Sequence, residues 1–337
     1  MLLRAATPFF TPMHQISKLT YYLVILFIVL SINFFLPRVM PGDPLSYLTD
    51  PGADIPARIT EEKMEILLAY YGLDKPLSEQ YINYMVGIIR GDLGWSIYYN
   101  APVLEVILGR LKWTLLLVGT STAIHVTLGI LIGATSAWAR GRKKDMGLLI
   151  FILSISSFPS FFLGILLVIF FGIKLDIFPI SGAQTAFATY SSPFEEIFDI
   201  LHHLVLPAAT LVISHIGGTY LLMRNSMLGV LGEDYIMTAR AKGLSERYIL
   251  HRHALANALL PIVTMTAMTV GFMVTGTIFV ETVFAYPGIG NLLYNTVLYR
   301  DYPLLQGIFL FITVAIVGAN LIADMLYIRL DPRVKHE

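Results

Sequence analysis

Six uncharged, predominantly apolar stretches punctuate the chain: Leu19 to Leu36, Trp113 to Trp138, Met146 to Ile173, Leu204 to Met223, Ala254 to Val280 and Tyr302 to Ala323, the last bounded by Asp301 and Asp324. A helix needs about 20 such residues to cross a bilayer, so each run predicts a spanning helix. A soluble core yields one long apolar run now and then, not six separated by charged segments. The first run follows Arg4 and Lys18, as a signal peptide would. It ends in Asn33-Phe34-Phe35-Leu36-Pro37 without a small-residue cleavage site, and so reads as a retained anchor.

The charged positions orient these runs. The N-terminus, the loop at Arg140 to Lys144 with the adjoining Asp145, the loop from Arg224 to His253 and the tail with Arg329, Arg333 and Lys335 hold 14 of the 23 basic residues and six of the acids. By the positive-inside rule that side is cytoplasmic and both termini lie inside. Only 14% of residues are charged, against about a quarter in a soluble domain, which supports the same conclusion. The balanced net charge gives no footing for nucleic acid. The absence of cysteine excludes a disulfide scaffold, thiol catalysis and Cys-ligated zinc.

The expected fold class is an all-α membrane protein of six transmembrane helices with a small helical extracytoplasmic cap. Residues 1–37 hold the N-terminus and first span, 38–112 the cap, 113–327 a core of five spans, and 328–337 a cytoplasmic tail. In the cap, Thr60 with Glu61 and Glu62 predicts a helix ending at Gly72. Ser78 predicts a second helix ending near Gly91, and Pro102 a third running to Arg110. Tyr70, Tyr71, Leu73, Tyr81, Tyr84 and Trp95 give this segment apolar material to bury. Pro159 and Pro207 read as kinks accommodated by helix packing. His125 and His215, with no charge in their own spans, read as interhelical hydrogen-bonding groups. Glu281 and Asp324 stand at span ends, where solvation is cheap, and receive no proton-coupling role.

The sequence contains no GxxxxGK[ST] loop, no HExxH helix and no GxSxG elbow. The informative segment is the loop of residues 224–260. Glu233 and Asp234 begin a short helix, Arg240 and Lys242 end it, Gly243 follows, and Ser245 opens a second helix through His251 and His253 toward Pro261.

Thr238-Ala239-Arg240-Ala241-Lys242-Gly243-Leu244-Ser245, with Asn257-Ala258-Leu259-Leu260-Pro261 downstream, resembles the coupling loop of binding-protein-dependent ABC importer permeases in the dipeptide, oligopeptide and nickel branch. Collinear fragments reinforce the resemblance, among them Pro41-Gly42-Asp43-Pro44, Arg90-Gly91-Asp92-Leu93-Gly94, Glu281-Thr282-Val283-Phe284, Tyr286-Pro287-Gly288-Ile289-Gly290 and Leu330-Asp331-Pro332-Arg333. The broader family writes the loop as Glu-Ala-Ala, three residues, Gly. Here Met237, Thr238, Ala239 and Gly243 stand in those places.

The resemblance implies a type I ABC importer transmembrane fold that moves di- or oligopeptides into the cytoplasm. Its partners would be a second homologous permease, two ABC ATPase subunits, an extracytoplasmic substrate-binding protein and membrane lipid. ATP and Mg would be bound by the partner subunits, with no cofactor in this chain. Met237, Thr238, Ala239, Arg240, Ala241, Lys242, Gly243, Leu244 and Ser245 would form the contact with the ATPase subunits. Nickel or oligosaccharide cargo is the alternative within the class. An ATP-independent secondary transporter is the alternative outside it, and that would call for repeated halves with paired intramembrane charges.

Overall fold

A computed structural model describes residues 12–39, 65–66, 68–69, 72–266 and 277–330. Several sequence landmarks lie outside that set: Arg4, Pro41 to Pro44, Thr60 to Glu62, Tyr70, Tyr71, Arg333, Lys335, the middle of the fifth run and the Asp324 side chain.

Helix α1 (Pro12–Val39) is followed by α2 (Leu77–Arg90), a two-stranded antiparallel ribbon β1 (Trp95–Ser96) and β2 (Ala101–Pro102), and α3 (Val103–Trp138). Next come α4 (Lys143–Ser156) and α5 (Ser160–Leu167), which continues as a π-helical turn over Val168–Lys174. The long α6 (Pro193–Leu231) leads to α7 (Asp234–Ala241). Helix α8 starts at Glu246–Tyr248, passes through a π-helical turn Ile249–Ala254 and returns to α form over Leu255–Ala258. Helices α9 (Ile278–Val283), α10 (Ile289–Tyr299) and α11 (Tyr302–Leu330) complete the described chain. Among the described residues, α3, α6 and the start of α11 are each long and apolar enough to cross a bilayer, and the α4–α5 pair passes the same test together.

The helices overrun the apolar runs because counting uncharged residues finds the hydrocarbon part, not the helix ends. Helix α6 begins eleven residues before Leu204, where Ser192 Oγ accepts from the Glu195 N–H at 3.4 Å, Pro193 occupies the first turn, and Glu195 and Glu196 face the positive end of the dipole. At 39 residues it is roughly 58 Å long, against a hydrocarbon core of about 30 Å, so its ends stand clear of lipid. The helix continues through Pro207. Pro159 behaves differently. The third run, expected as one kinked span, is broken between Ser156 and Ser160 with a bend of 90°. Proline supplies no N–H and disfavours helical backbone at Phe158, so α5 must start afresh.

The described chain divides into two compact units, one within residues 1–110 and 292–317 and the other within 111–291 and 318–335. In the first unit, aromatic packing joins α1 to α2. The Phe34 ring lies 5.2 Å from Tyr81 and 5.5 Å from Tyr84, and Ser31 Oγ and Tyr81 OH share a 2.8 Å hydrogen bond. Asp301 organises the ribbon and α11 together. Its carboxylate accepts from Ser96 Oγ at 2.6 Å, from the Tyr98 N–H at 3.0 Å and from the Leu304 N–H at 3.1 Å, the last capping α11. Burial raises the Asp301 pKa from its ordinary value, opposed by these donors.

Three expectations for the cap are corrected. Ser78 lies inside α2, whose N-cap is Pro76, because Leu77 already has helical geometry. The helix expected from Pro102 to Arg110 is the first two turns of α3, which begins at Val103 after Pro102 closes β2, since nothing between Arg110 and Trp113 breaks the helix. Trp95 stays 39% exposed, with its indole N–H donating to Asn100 Oδ1 at 3.1 Å.

In the second unit, α3 and α6 meet where Gly129 and Gly133 remove side chains from the contact. A Cβ on Gly129 would come within 2.7 Å of Thr219 Cβ, and one on Gly133 within 2.8 Å of Met223 Cβ. A glycine every fourth residue is the small-residue stripe that lets two spanning helices approach closely.

Candidate functional site

Helix α7 and the start of α8 form a helix, turn, helix element whose termination is fully specified by hydrogen bonds. The Gly243 N–H donates to the Arg240 carbonyl at 2.9 Å, and the Leu244 N–H reaches back to the Ala239 carbonyl at 3.3 Å. Gly243 sits at φ 73°, in the left-handed region. These two bonds and that dihedral make a Schellman C-cap, which glycine adopts without a Cβ penalty. Ser245 Oγ then accepts from the Tyr248 N–H at 3.4 Å, opening α8. Asn257 Nδ2 donates to Tyr235 OH at 2.9 Å and fastens one helix to the other.

This element is anchored by its apolar side. Ile236, Ala239, Ile249, Ala254 and Ala258 are buried in one cluster with Met223 and Met227 of α6 and Ala134 and Ala137 of α3. Ser226 Oγ adds a 2.9 Å bond to the Ala258 carbonyl. Close-packed side chains therefore join α7 to both long helices.

The nine residues singled out from the sequence divide cleanly. Met237, Thr238, Arg240, Ala241, Lys242, Gly243, Leu244 and Ser245 are exposed along α7 and its turn, whereas Ala239 is buried and serves packing. Among the exposed residues, Met237 is 58% exposed, an apolar side chain offered to solvent. Arg240 Nε donates to Glu246 Oε1 at 3.1 Å across the turn, so its guanidinium already has a partner within the element.

A buried polar network lies beside the cluster. Arg224 Nε and Nη2 donate to the two Asp145 oxygens, each at 2.8 Å, in a two-pronged ion pair. Ser136 Oγ donates to Asp145 Oδ1 at 2.6 Å and shares a 2.7 Å bond with Tyr220 OH. The Arg224 hydrogen bonds outweigh the cost of burial and, with Ser136 and the Gly141 N–H, hold the Asp145 carboxyl well below the usual carboxylate range. The network joins the end of α3, the start of α4 and the body of α6. Sequence reading passed over it because Asp145 and Arg224 are 79 positions apart and each looks like an ordinary loop charge.

The sequence profile of a family described as binding-protein-dependent transport system inner membrane component matches residues 127–336, and the profile of its N-terminal component matches residues 14–118. The chain belongs to this family. Similar proteins include the oligopeptide transport system permease protein AppB of Bacillus subtilis, 35% identical over 90% of this chain and 93% of its own length. The dipeptide transport system permease protein DppB of Escherichia coli K12 is 34% identical over 91% and 94%, and the glutathione transport system permease protein GsiC of Escherichia coli O6:H1 is 35% identical over 96% and 99%. As a transport system inner membrane component with several long apolar helices, the chain is a multi-pass membrane protein.

In this family member two of the polar groups near the spans are placed differently from the sequence reading, and a third as it expects. Glu281 was expected to be solvated at a span end, yet it is fully buried. Helix α9 turns it inward, where Thr114 Oγ1 donates to Oε1 at 2.8 Å and the Asn291 N–H to Oε2 at 3.0 Å. It thereby holds the first turn of α10 against α3, a fixing role rather than a solvent contact. His125 forms the expected interhelical bond, its Nδ1 lying 3.2 Å from Thr219 Oγ1. His215 does not: its Nδ1 donates to the Leu211 carbonyl in its own helix at 2.9 Å.

Proposed function

We propose that the chain is a transmembrane permease subunit of an ATP-driven importer that receives di- or oligopeptides from an extracytoplasmic binding protein and releases them into the cytoplasm. The observation that carries the reading is the exposed α7 turn fused through Ile236 and Ile249 to α3 and α6. The peptide cargo rests on the names of the similar proteins, which are oligopeptide, dipeptide and glutathione permeases. Two ABC ATPase subunits bind ATP and Mg and dock on Met237 to Ser245. A second homologous permease completes the pathway, residues 113–327 form the core around it, and the cap of residues 38–112 shapes the surface on which the binding protein sits. This chain supplies no cofactor and no ATPase site.

Cells lacking the chain should lose uptake of labelled di- or oligopeptides while keeping uptake of the free amino acids. Unchanged peptide uptake in a strain without parallel peptide systems would remove the cargo assignment. The orientation has its own test. In this cysteine-free protein, Glu79→Cys should react with an impermeant thiol reagent added outside intact cells. Lys143→Cys should react only after permeabilisation. The reverse labelling pattern would invert the topology.

A further inference from the structure

A cavity of about 360 Å³ in the first unit is walled by α1, α2 and the start of α11, with Arg38, Gln80, Asn83, Tyr84, Asp92 and Gln306 among its lining residues. Several of its donors have no acceptor among the described residues. Arg38 makes three hydrogen bonds, all to neutral acceptors: Nη1 to the Phe34 carbonyl at 2.7 Å, and Nη2 and Nε to Gln80 Oε1 at 2.7 and 3.3 Å. Two of its five N–H groups remain, and among the described residues no carboxylate lies within ion-pair distance. The Tyr84 hydroxyl and Gln306 Nε2 are both buried without a partner, and Gln306 as a whole is only 9% exposed. Lys75, also on the wall, is held by Glu79 at 2.7 Å, and Asp92 Oδ1 is occupied by the Gly94 N–H at 2.9 Å. Burial lowers Arg38 to about 10 and raises Tyr84 to about 12, so at neutral pH the first keeps its charge and the second its proton.

A half-buried cation with no carboxylate within ion-pair distance among the described residues, beside two buried donors without acceptors, is the complement of an anionic oxo group. Arg38 stands in the last turn of α1, and the same helix presents Val24, Phe27, Ile28, Ile32, Phe35 and Leu36 at 45–55% exposure. The donor cluster and an uncovered apolar stripe therefore follow one another along a single helix, an arrangement suited to a headgroup with acyl chains attached. We propose that this cavity binds the phosphate of a phospholipid headgroup through Arg38, Tyr84 and Gln306.

The test is native mass spectrometry of the full-length chain, freed of lipid by detergent exchange. It is titrated separately with phosphatidylglycerol, with diacylglycerol of the same chains and with glycerol phosphate. One phosphatidylglycerol should be retained under activation that strips diacylglycerol. Tyr84→Phe and Gln306→Leu, which keep ring and volume, should each weaken retention roughly tenfold, as expected for a lost hydrogen bond to a charged group. Arg38→Gln should abolish it, the two milder variants standing as the test if that change prevents folding. Equal retention by the Tyr84→Phe, Gln306→Leu double variant would overturn the proposal, as would equal binding of diacylglycerol or no binding at all, which would leave the cavity to water. Binding of glycerol phosphate with no lipid retained would overturn the lipid source and assign the cradle to a soluble phosphate.

Discussion

Replacing Arg224 with alanine is expected to destabilise the protein by about 3 kcal/mol, the lower end of the cost of breaking a buried ion pair. The lower end applies because the Arg224 and Asp145 side chains are 16% and 8% exposed, so some water reaches the pair. Removing the guanidinium leaves a buried carboxylate with only Ser136 Oγ at 2.6 Å and the Gly141 N–H at 3.4 Å. Thermal unfolding in detergent should show the loss directly. Asp145→Asn combined with Arg224→Leu should cost less than Arg224→Ala alone, because it removes the charge along with its partner. A double variant worse than the single would contradict this account. The pH dependence follows from the direction of the shift. A carboxyl held below its ordinary pKa contributes fully above the unfolded value of about 4 and loses that contribution as pH falls through the folded one, so mild acidification to about pH 5 should not mimic Arg224→Ala.

Gly243→Val should leave the chain in the membrane at near-normal levels and reduce coupled uptake about tenfold or more. A Cβ at Gly243 would meet nothing within 4 Å, so the penalty is one of backbone conformation alone. An L-residue held in the left-handed region pays roughly 1 to 2 kcal/mol, and a β-branched one pays more. The turn is at the surface, while insertion depends on the apolar helices, which separates the two outcomes. Gly243→Asn should retain most of the coupling, since asparagine visits the left-handed region readily. Loss of uptake in Gly243→Asn equal to that in Gly243→Val would point to the missing glycine surface rather than the turn geometry. Arg240→Ala should be mild, because its exposed pair with Glu246 is worth about 0 to 1 kcal/mol.

The sequence made visible whatever is local. Apolar runs located the long helices, and Gly243 followed by Ser245 located a C-cap and an N-cap that the structure forms at those residues. It did not reveal what depends on pairing across the fold. Asp145 and Arg224 read as separate loop charges until α4 and α6 bring them to 2.8 Å. Glu281 at the edge of an apolar run invited the assumption of water, but α9 turns it inward against Thr114, 167 positions away. The four-residue spacing of Gly129 and Gly133 is legible in the sequence, and the structure packs both glycines against α6. Helix ends were missed for a simpler reason: Glu195, Glu196 and Asp199 lie on α6 itself, so a rule that stops at charge stops short of the helix.

The central claim is that this chain converts ATP use by partner subunits into peptide entry through the α7 turn. It is tested most directly in proteoliposomes holding the chain, its partner permease and the ATPase pair, with labelled peptide uptake and phosphate release followed together. The account predicts uptake only when ATP and loaded binding protein are both present. With Gly243→Val, uptake should be lost and phosphate release should no longer respond to binding protein. Peptide entry without ATP, or full binding-protein-stimulated transport by the Gly243→Val assembly, would contradict it.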